Sequence, residues 1–147
     1  MADDEFCSFQ LQNWPAVTVT LNRPPRDADA EIPKFQSDFC GLLALAVQGD
    51  VEAGIAPTRL FLTMGLDGIV DATLAQQLSA ATFIQSVKPL VEAGALQATA
   101  LVITSERARS VLQCILTIAP LTSRYAIFST HDEATKWLAS QGLFAPN

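Results

Sequence analysis

The sequence predicts an α/β domain built on a mostly parallel sheet. Three observations carry this. Residues 60–64 and 99–104 are short apolar runs bounded by turn residues, and they read as strands buried on both faces. Each is followed by a stretch with apolar residues at helical spacing, and so is a shorter strand at 125–128. The opening residues instead alternate with period two, the mark of a hairpin with one wet face.

The elements follow in order. Residues 6–12 are rich in strand formers, and Asn13, Trp14 and Pro15 make a turn. Val17, Val19 and Leu21 then alternate with Thr18 and Thr20, giving a second strand. Residues 22–30, with Pro24 and Pro25, read as a loop. Pro33 is tolerable in a first helical turn, and Phe35, Phe39, Leu42, Leu43 and Ala46 mark the first helix up to Gly49. After strand 60–64, the Gly65-Leu66-Asp67-Gly68 turn leads to a second helix marked by Leu74, Leu78, Ala81, Ile84 and Val87. Pro89 is expected to kink it or end it near Lys88. Ser105 caps a third helix with a stripe at Ala108, Val111, Leu112, Ile115 and Leu116, stopped by Pro120. Thr130 and Glu133 form a capping box for a fourth helix, which Gly142 and Pro146 close. The predicted order is β-β-α-β-α-β-α-β-α. Right-handed crossovers make the sheet parallel except for the N-terminal antiparallel hairpin at its edge. The 147 residues are predicted to be a single domain, with residues 1–5 as a flexible tail.

Composition narrows the function classes. The net charge is −6 and the pI about 4.5, against the basic footprint that nucleic acid requires. Residues 1–56 hold nine acids and three bases and so carry the whole imbalance. The longest apolar stretch, residues 41–47, is too short to span a bilayer. The start MADDEF has neither a basic nor an apolar signal region. Cys7, Cys40 and Cys114 are odd in number and have no metal-ligand spacing, which predicts a reducing compartment and a cytoplasmic location. Cys40 and Cys114 fall within apolar helical patterns and are expected to pack as small hydrophobes. No metal or cofactor is predicted.

Two helix starts are candidate sites. Asp67 and Gly68 lie at the carboxyl end of a parallel strand, where open α/β sheets place their clefts. The turn matches no phosphate-loop pattern, and Asp67 and Asp71 repel phosphate. Ser105 and Arg107 open the third helix, where free N–H groups and a guanidinium suit an anion. His131, the only histidine, reads as an exposed first-turn residue. There is no convergent set of nucleophile, base and oxyanion donors, so a non-enzymatic domain is expected. Replacing Asp67, Asp71, His131 or Arg107 with Ala is expected to leave no catalytic phenotype.

The tail reads Ala100-Leu101-Val102-Ile103-Thr104, then Arg107 and Leu112, then Ala126-Ile127-Phe128-Ser129 and Asp132-Glu133-Ala134-Thr135-Lys136-Trp137-Leu138. With the element order, it resembles STAS domains of the SpoIIAA-like (STAS/SEC14-like) family. The order match covers most of the chain, and the residue match covers about residues 99–139. Switch members of the family carry Asp-Ser-Ser-Gly where this chain has Asp71-Ala72-Thr73 with no Gly following. The resemblance implies a regulatory, protein-binding module resembling anti-sigma-factor antagonists. Its partner face would comprise Asp67, Gly68, Asp71, Thr73 and Leu74. The SEC14-like branch implies the alternative of a small-molecule or lipid carrier, with a cavity lined by Phe35, Phe39, Leu42 and Leu43. A cavity of roughly 300 Å³ or more favours the carrier. A filled core with an exposed apolar patch favours the partner module. The edge hairpin also offers a route to a homo-oligomer.

Overall fold

The computed structural model describes residues 5–143 of the chain. Within them the elements are β1 (Cys7–Asn13), β2 (Ala16–Leu21), α1 (Ala28–Gln48), β3 (Leu60–Gly65), a 3₁₀ turn (Asp67–Ile69), α2 (Leu74–Glu92), β4 (Leu96–Val102), α3 (Glu106–Ile118), β5 (Tyr125–Phe128) and α4 (His131–Ser140). The strands lie side by side in chain order. β1 pairs antiparallel with β2, and the other pairs are parallel. The fold is therefore the α/β arrangement the sequence predicts, with the hairpin strand β1 at one edge.

This strand order dictates the layers. Every crossover from β2 to β5 steps the same way, so right-handed connections bring α1, α2 and α3 to one face. There Val17, Val19, Leu60 and Leu62 of the sheet pack with Phe39, Leu42, Leu43 and Ala46 of α1 and Val87 of α2. Leu101 and Ile103 pack with Ala108 and Leu112 of α3. α4 takes the opposite face, setting Ala134 and Leu138 on Ala98, Ala100 and Val102. β4 is thus covered on both sides, the physical reason its sequence is almost unbroken in apolar residues. β2 alternates instead: Val17, Val19 and Leu21 are buried, and Thr18 and Thr20 are half-buried.

Several boundaries differ from expectation. α1 starts at Ala28, inside the expected loop, and Pro33 stands in its second turn. The Glu31 carboxylate explains the earlier start. It accepts from the Arg26 N–H at 2.7 Å and the Asp27 N–H at 3.0 Å, and so satisfies donors ahead of the first turn. α2 runs through Pro89 to Glu92 and does not end near Lys88. Proline removes one intrahelical bond, and the turn beyond it is held by Ala93 N–H to Pro89 O at 3.0 Å. β4 begins three residues early, at Leu96.

At α4 the Thr130 hydroxyl accepts from the Glu133 N–H at 3.2 Å. The return bond to Glu133 comes from that same hydroxyl and not from the Thr130 N–H. The reciprocal box sits at α2, where Thr73 accepts from the Gln76 N–H and Gln76 from the Thr73 N–H.

Cys40 and Cys114 are both exposed, against the expected packing. Each sits one residue from a buried stripe position, Phe39 and Ile115, and one residue turns a helix by about 100°. Of the expected tail, Glu5 is described, and its carbonyl accepts from Asn22 Nδ2 at 3.2 Å. Residues 1–4 and Pro146 lie outside the described residues. Among the described residues no helix is long and apolar enough to cross a membrane.

Candidate functional site

The two candidate helix starts meet each other. The Asp67 carboxylate accepts from the Thr104 N–H at 2.8 Å, the Thr104 hydroxyl at 2.8 Å and the Ser105 N–H at 3.1 Å. Partial burial pushes its pKa up, and the bonds from Thr104 and Ser105 outweigh that and hold it below 3.8. Arg107 reaches Asp71 at 2.7 Å, with both side chains largely exposed. Ser105 Oγ caps the Ala108 N–H at 3.2 Å. Donors expected to hold an outside anion are therefore engaged by the chain's own carboxylates.

The expected partner face divides in two. Gly68 is buried, and a Cβ there would stand 2.6 Å from the Leu21 carbonyl oxygen. It is a close-approach glycine that locks the 3₁₀ turn to the end of β2. Asp71, Thr73 and Leu74 are exposed. Leu74 is 68% exposed and Leu78, one turn on, 47%. Both help mark α2 by their helical spacing, and the buried α2 residues are Ala81 and Val87. Leu74 and Leu78 therefore stand on the solvent side of the first turns of α2. His131 is exposed in the first turn of α4. Among the described residues no group of His, Cys, Asp and Glu is placed to hold a metal.

A cavity lies between the sheet and the helices. Its volume of about 400 Å³ separates the helix-facing side of the sheet from α1, α2 and α3. Leu62, Met64 and Leu101 form its floor, Phe83, Ile84 and Val87 one wall, and Leu112, Ile115 and Leu116 the other. Phe35, Phe39 and Leu43 of α1 close one side, as the sequence suggested for a carrier. Leu42 packs in the core between α1 and the sheet and is not among the lining residues. The lining extends beyond α1 to residues of α2 and α3. Among its lining residues Gln85, Lys88, Pro120 and Thr122 are exposed and mark the solvent rim.

One polar group stands out within it. Thr99, on β4, is 3% exposed. Its neighbours Ala98 and Ala100 face α4, so strand alternation turns Thr99 toward the cavity it lines. Its Oγ1 is shielded from solvent and from the cavity alike and has no hydrogen-bond partner among the described residues, an arrangement that costs stability. The sequence reading missed Thr99. Its signal was present: a hydroxyl residue on the helix-facing side of a run otherwise suited to burial on both faces.

No protein-family model, curated protein or solved structure matches this chain.

Proposed function

We propose that this domain binds a small apolar molecule, without turning it over, in the cavity between the sheet and α1, α2 and α3. The observation that carries the reading is the cavity itself. At about 400 Å³ it lies within the size range of small-molecule sites, and its lining is predominantly aliphatic and aromatic. It exceeds the roughly 300 Å³ that separates a carrier from a filled core. The SEC14-like side of the family resemblance points the same way. A cytoplasmic location belongs to this reading and is supported by the free cysteines, two of them exposed.

The test is a fluorescence titration of the purified chain with 1-aminoanthracene, with mass spectrometry of an organic extract of the protein. Saturable binding at one probe per chain, or a co-purifying apolar compound, is the expected result. No enhancement at any probe concentration and an empty extract overturn the reading.

A second reading has its own observation. Leu74 and Leu78 expose apolar surface one turn apart, beside Asp71 and Thr73. This favours the STAS-like reading of a regulatory module whose protein partner docks on the start of α2. An Asp71→Arg/Leu74→Asp variant, folded by circular dichroism, is expected to lose a partner that the wild type retains in affinity capture. Identical captures by the two proteins overturn it.

A further inference from the structure

We infer that two copies of this chain join edge to edge through β1, antiparallel about a two-fold axis, so that their sheets run on as one. The inference is independent of what the cavity holds.

The edge itself is the first observation. Among the described residues β1 pairs with β2 alone. The Asn22 N–H donates to the Phe6 carbonyl at 2.8 Å, so Phe6 turns its backbone groups toward β2. Alternation along an antiparallel strand then aims the N–H and C=O of Cys7 and Phe9 outward, where another strand can take them. Proteins keep edge strands from pairing by shortness, charge or proline. β5, at the opposite edge, has only four residues. β1 has seven, Cys7–Asn13, with no charge and no proline among them. Its register shift against β2 comes only after Gln10.

The second observation is that β1 suits a second copy of itself. Full antiparallel overlap centres on Gln10 and sets Phe9 opposite Leu11 of the second copy, and Ser8 opposite Gln12. Leu11 is 45% exposed in its own chain, and this pairing gives it an apolar neighbour. Glu5, just ahead of β1, ends about ten positions along the strand from its counterpart, or about 33 Å. That is well beyond the screening length at ordinary salt. Parallel pairing would stack the same acids, so charge selects the antiparallel arrangement.

The third lies on α1. Burial raises the Cys7 pKa, and the charges of Asp38 and then Lys34 act on it next, which places that flank of α1 beside β1. The other flank meets α2, where Gln36 Nε2 donates to Ser79 Oγ at 3.4 Å. Gly41 follows Asp38 by three positions and so shares the flank at the free edge. It is exposed, with nothing within 4 Å of a would-be Cβ. Glycine inside a helix is less favourable than alanine, and this chain alone gives it no contact in return. The two-fold sets two α1 helices side by side along this flank, where a residue without a side chain lets them approach.

The experiment is sedimentation equilibrium of the full chain from micromolar to millimolar concentration. The wild-type mass is expected to rise from 15.8 kDa toward twice that value. Leu11→Lys is expected to raise the dissociation constant about tenfold or more, because a charge replaces the apolar contact across the edge. Ile118→Lys is the control. Ile118 is 44% exposed on α3 and is expected to leave the dimer intact. Gln10→Glu sets like charges across the two-fold and is expected to weaken the dimer about two- to fivefold, with recovery in high salt. Recovery distinguishes repulsion from damage to the fold, and circular dichroism checks the fold of each variant. A mass of 15.8 kDa at every concentration overturns the inference. So does a dimer that Leu11→Lys leaves intact, or one that Ile118→Lys weakens as much.

Discussion

Asp67 and Thr104, thirty-seven positions apart, are joined by two hydrogen bonds of 2.8 Å each. The bonds fasten the turn after β3 to the loop between β4 and α3. A carboxylate accepting from two backbone N–H groups and a hydroxyl is stronger than a neutral contact of the same geometry. Asp67→Ala is expected to cost about 1–2 kcal/mol, because it leaves the Thr104 and Ser105 donors without their acceptor. Arg107→Ala breaks an exposed ion pair one turn away and is expected to cost less than about 0.5 kcal/mol. Urea unfolding of the two variants checks the contrast. Equal costs would show that the Asp67 contacts are ordinary surface ones.

Gly68 makes the companion contact on the other side of that turn. A Cβ there would meet the Leu21 carbonyl oxygen at 2.6 Å and the Arg23 carbonyl oxygen at 3.0 Å, both backbone atoms that cannot rotate away. Gly68→Ala is expected to destabilise by about 1–3 kcal/mol, as overpacking does. Gly41 is the control. It lies inside α1 with nothing within 4 Å of its would-be Cβ. Gly41→Ala is expected to stabilise by about 0.5–1 kcal/mol through helix propensity. The sign of the shift in urea midpoint decides both.

These contrasts show where sequence reading works. β5 was legible to the residue at Tyr125–Phe128. Thr130 was legible as the cap of α4 because capping depends on atoms three residues apart. Pro33 and Pro89 were poor guides to where helices begin and end, because each proline removes one bond and a long helix packed on a sheet keeps the rest. The cavity was legible only as a possibility at Phe35, Phe39 and Leu43. The same apolar residues fill a core or line a hole, and the distance between α2 and α3 decides which. Leu74 and Leu78 fit helical spacing, yet both stay exposed in the fold, and spacing alone does not say which face of a helix meets the sheet.

Acid is expected to weaken the entrance to α1. The Arg23 guanidinium grips Glu31 at 2.6 Å, and the Asp27 and Arg26 N–H groups add to it. That Arg23 bond, followed by the backbone bonds, lowers the Glu31 pKa from 4.5 to about 2. A lowered folded pKa means the contribution is complete above about 4.5 and is lost as pH falls toward 2. The stability difference between wild type and Glu31→Gln is therefore expected to be constant above about pH 5 and to shrink between about pH 4.5 and 2. Urea midpoints across that range measure it. A difference independent of pH would mean that the carboxylate is not the group that holds the helix start.

Filling the cavity separates its two possible meanings, a binding site or a mere packing gap. Ala80 lines it from α2 and is half-buried, and Leu is as compatible with a helix interior as Ala to within a few tenths of a kcal/mol. The three added carbons are worth at most about 2.4 kcal/mol if all reach apolar surroundings, since each buried methylene contributes about 0.8 kcal/mol, and side-chain ordering takes back part of it. Ala80→Leu is therefore expected to raise stability by about 1–2 kcal/mol, or the Tm by about 3–6 °C. It is also expected to weaken 1-aminoanthracene binding, because the side chain and the probe compete for the same space. A rise in Tm with undiminished probe binding would place the probe elsewhere on the chain. A fall in Tm would mean that α2 and α3 close over the space in solution and leave no room for either.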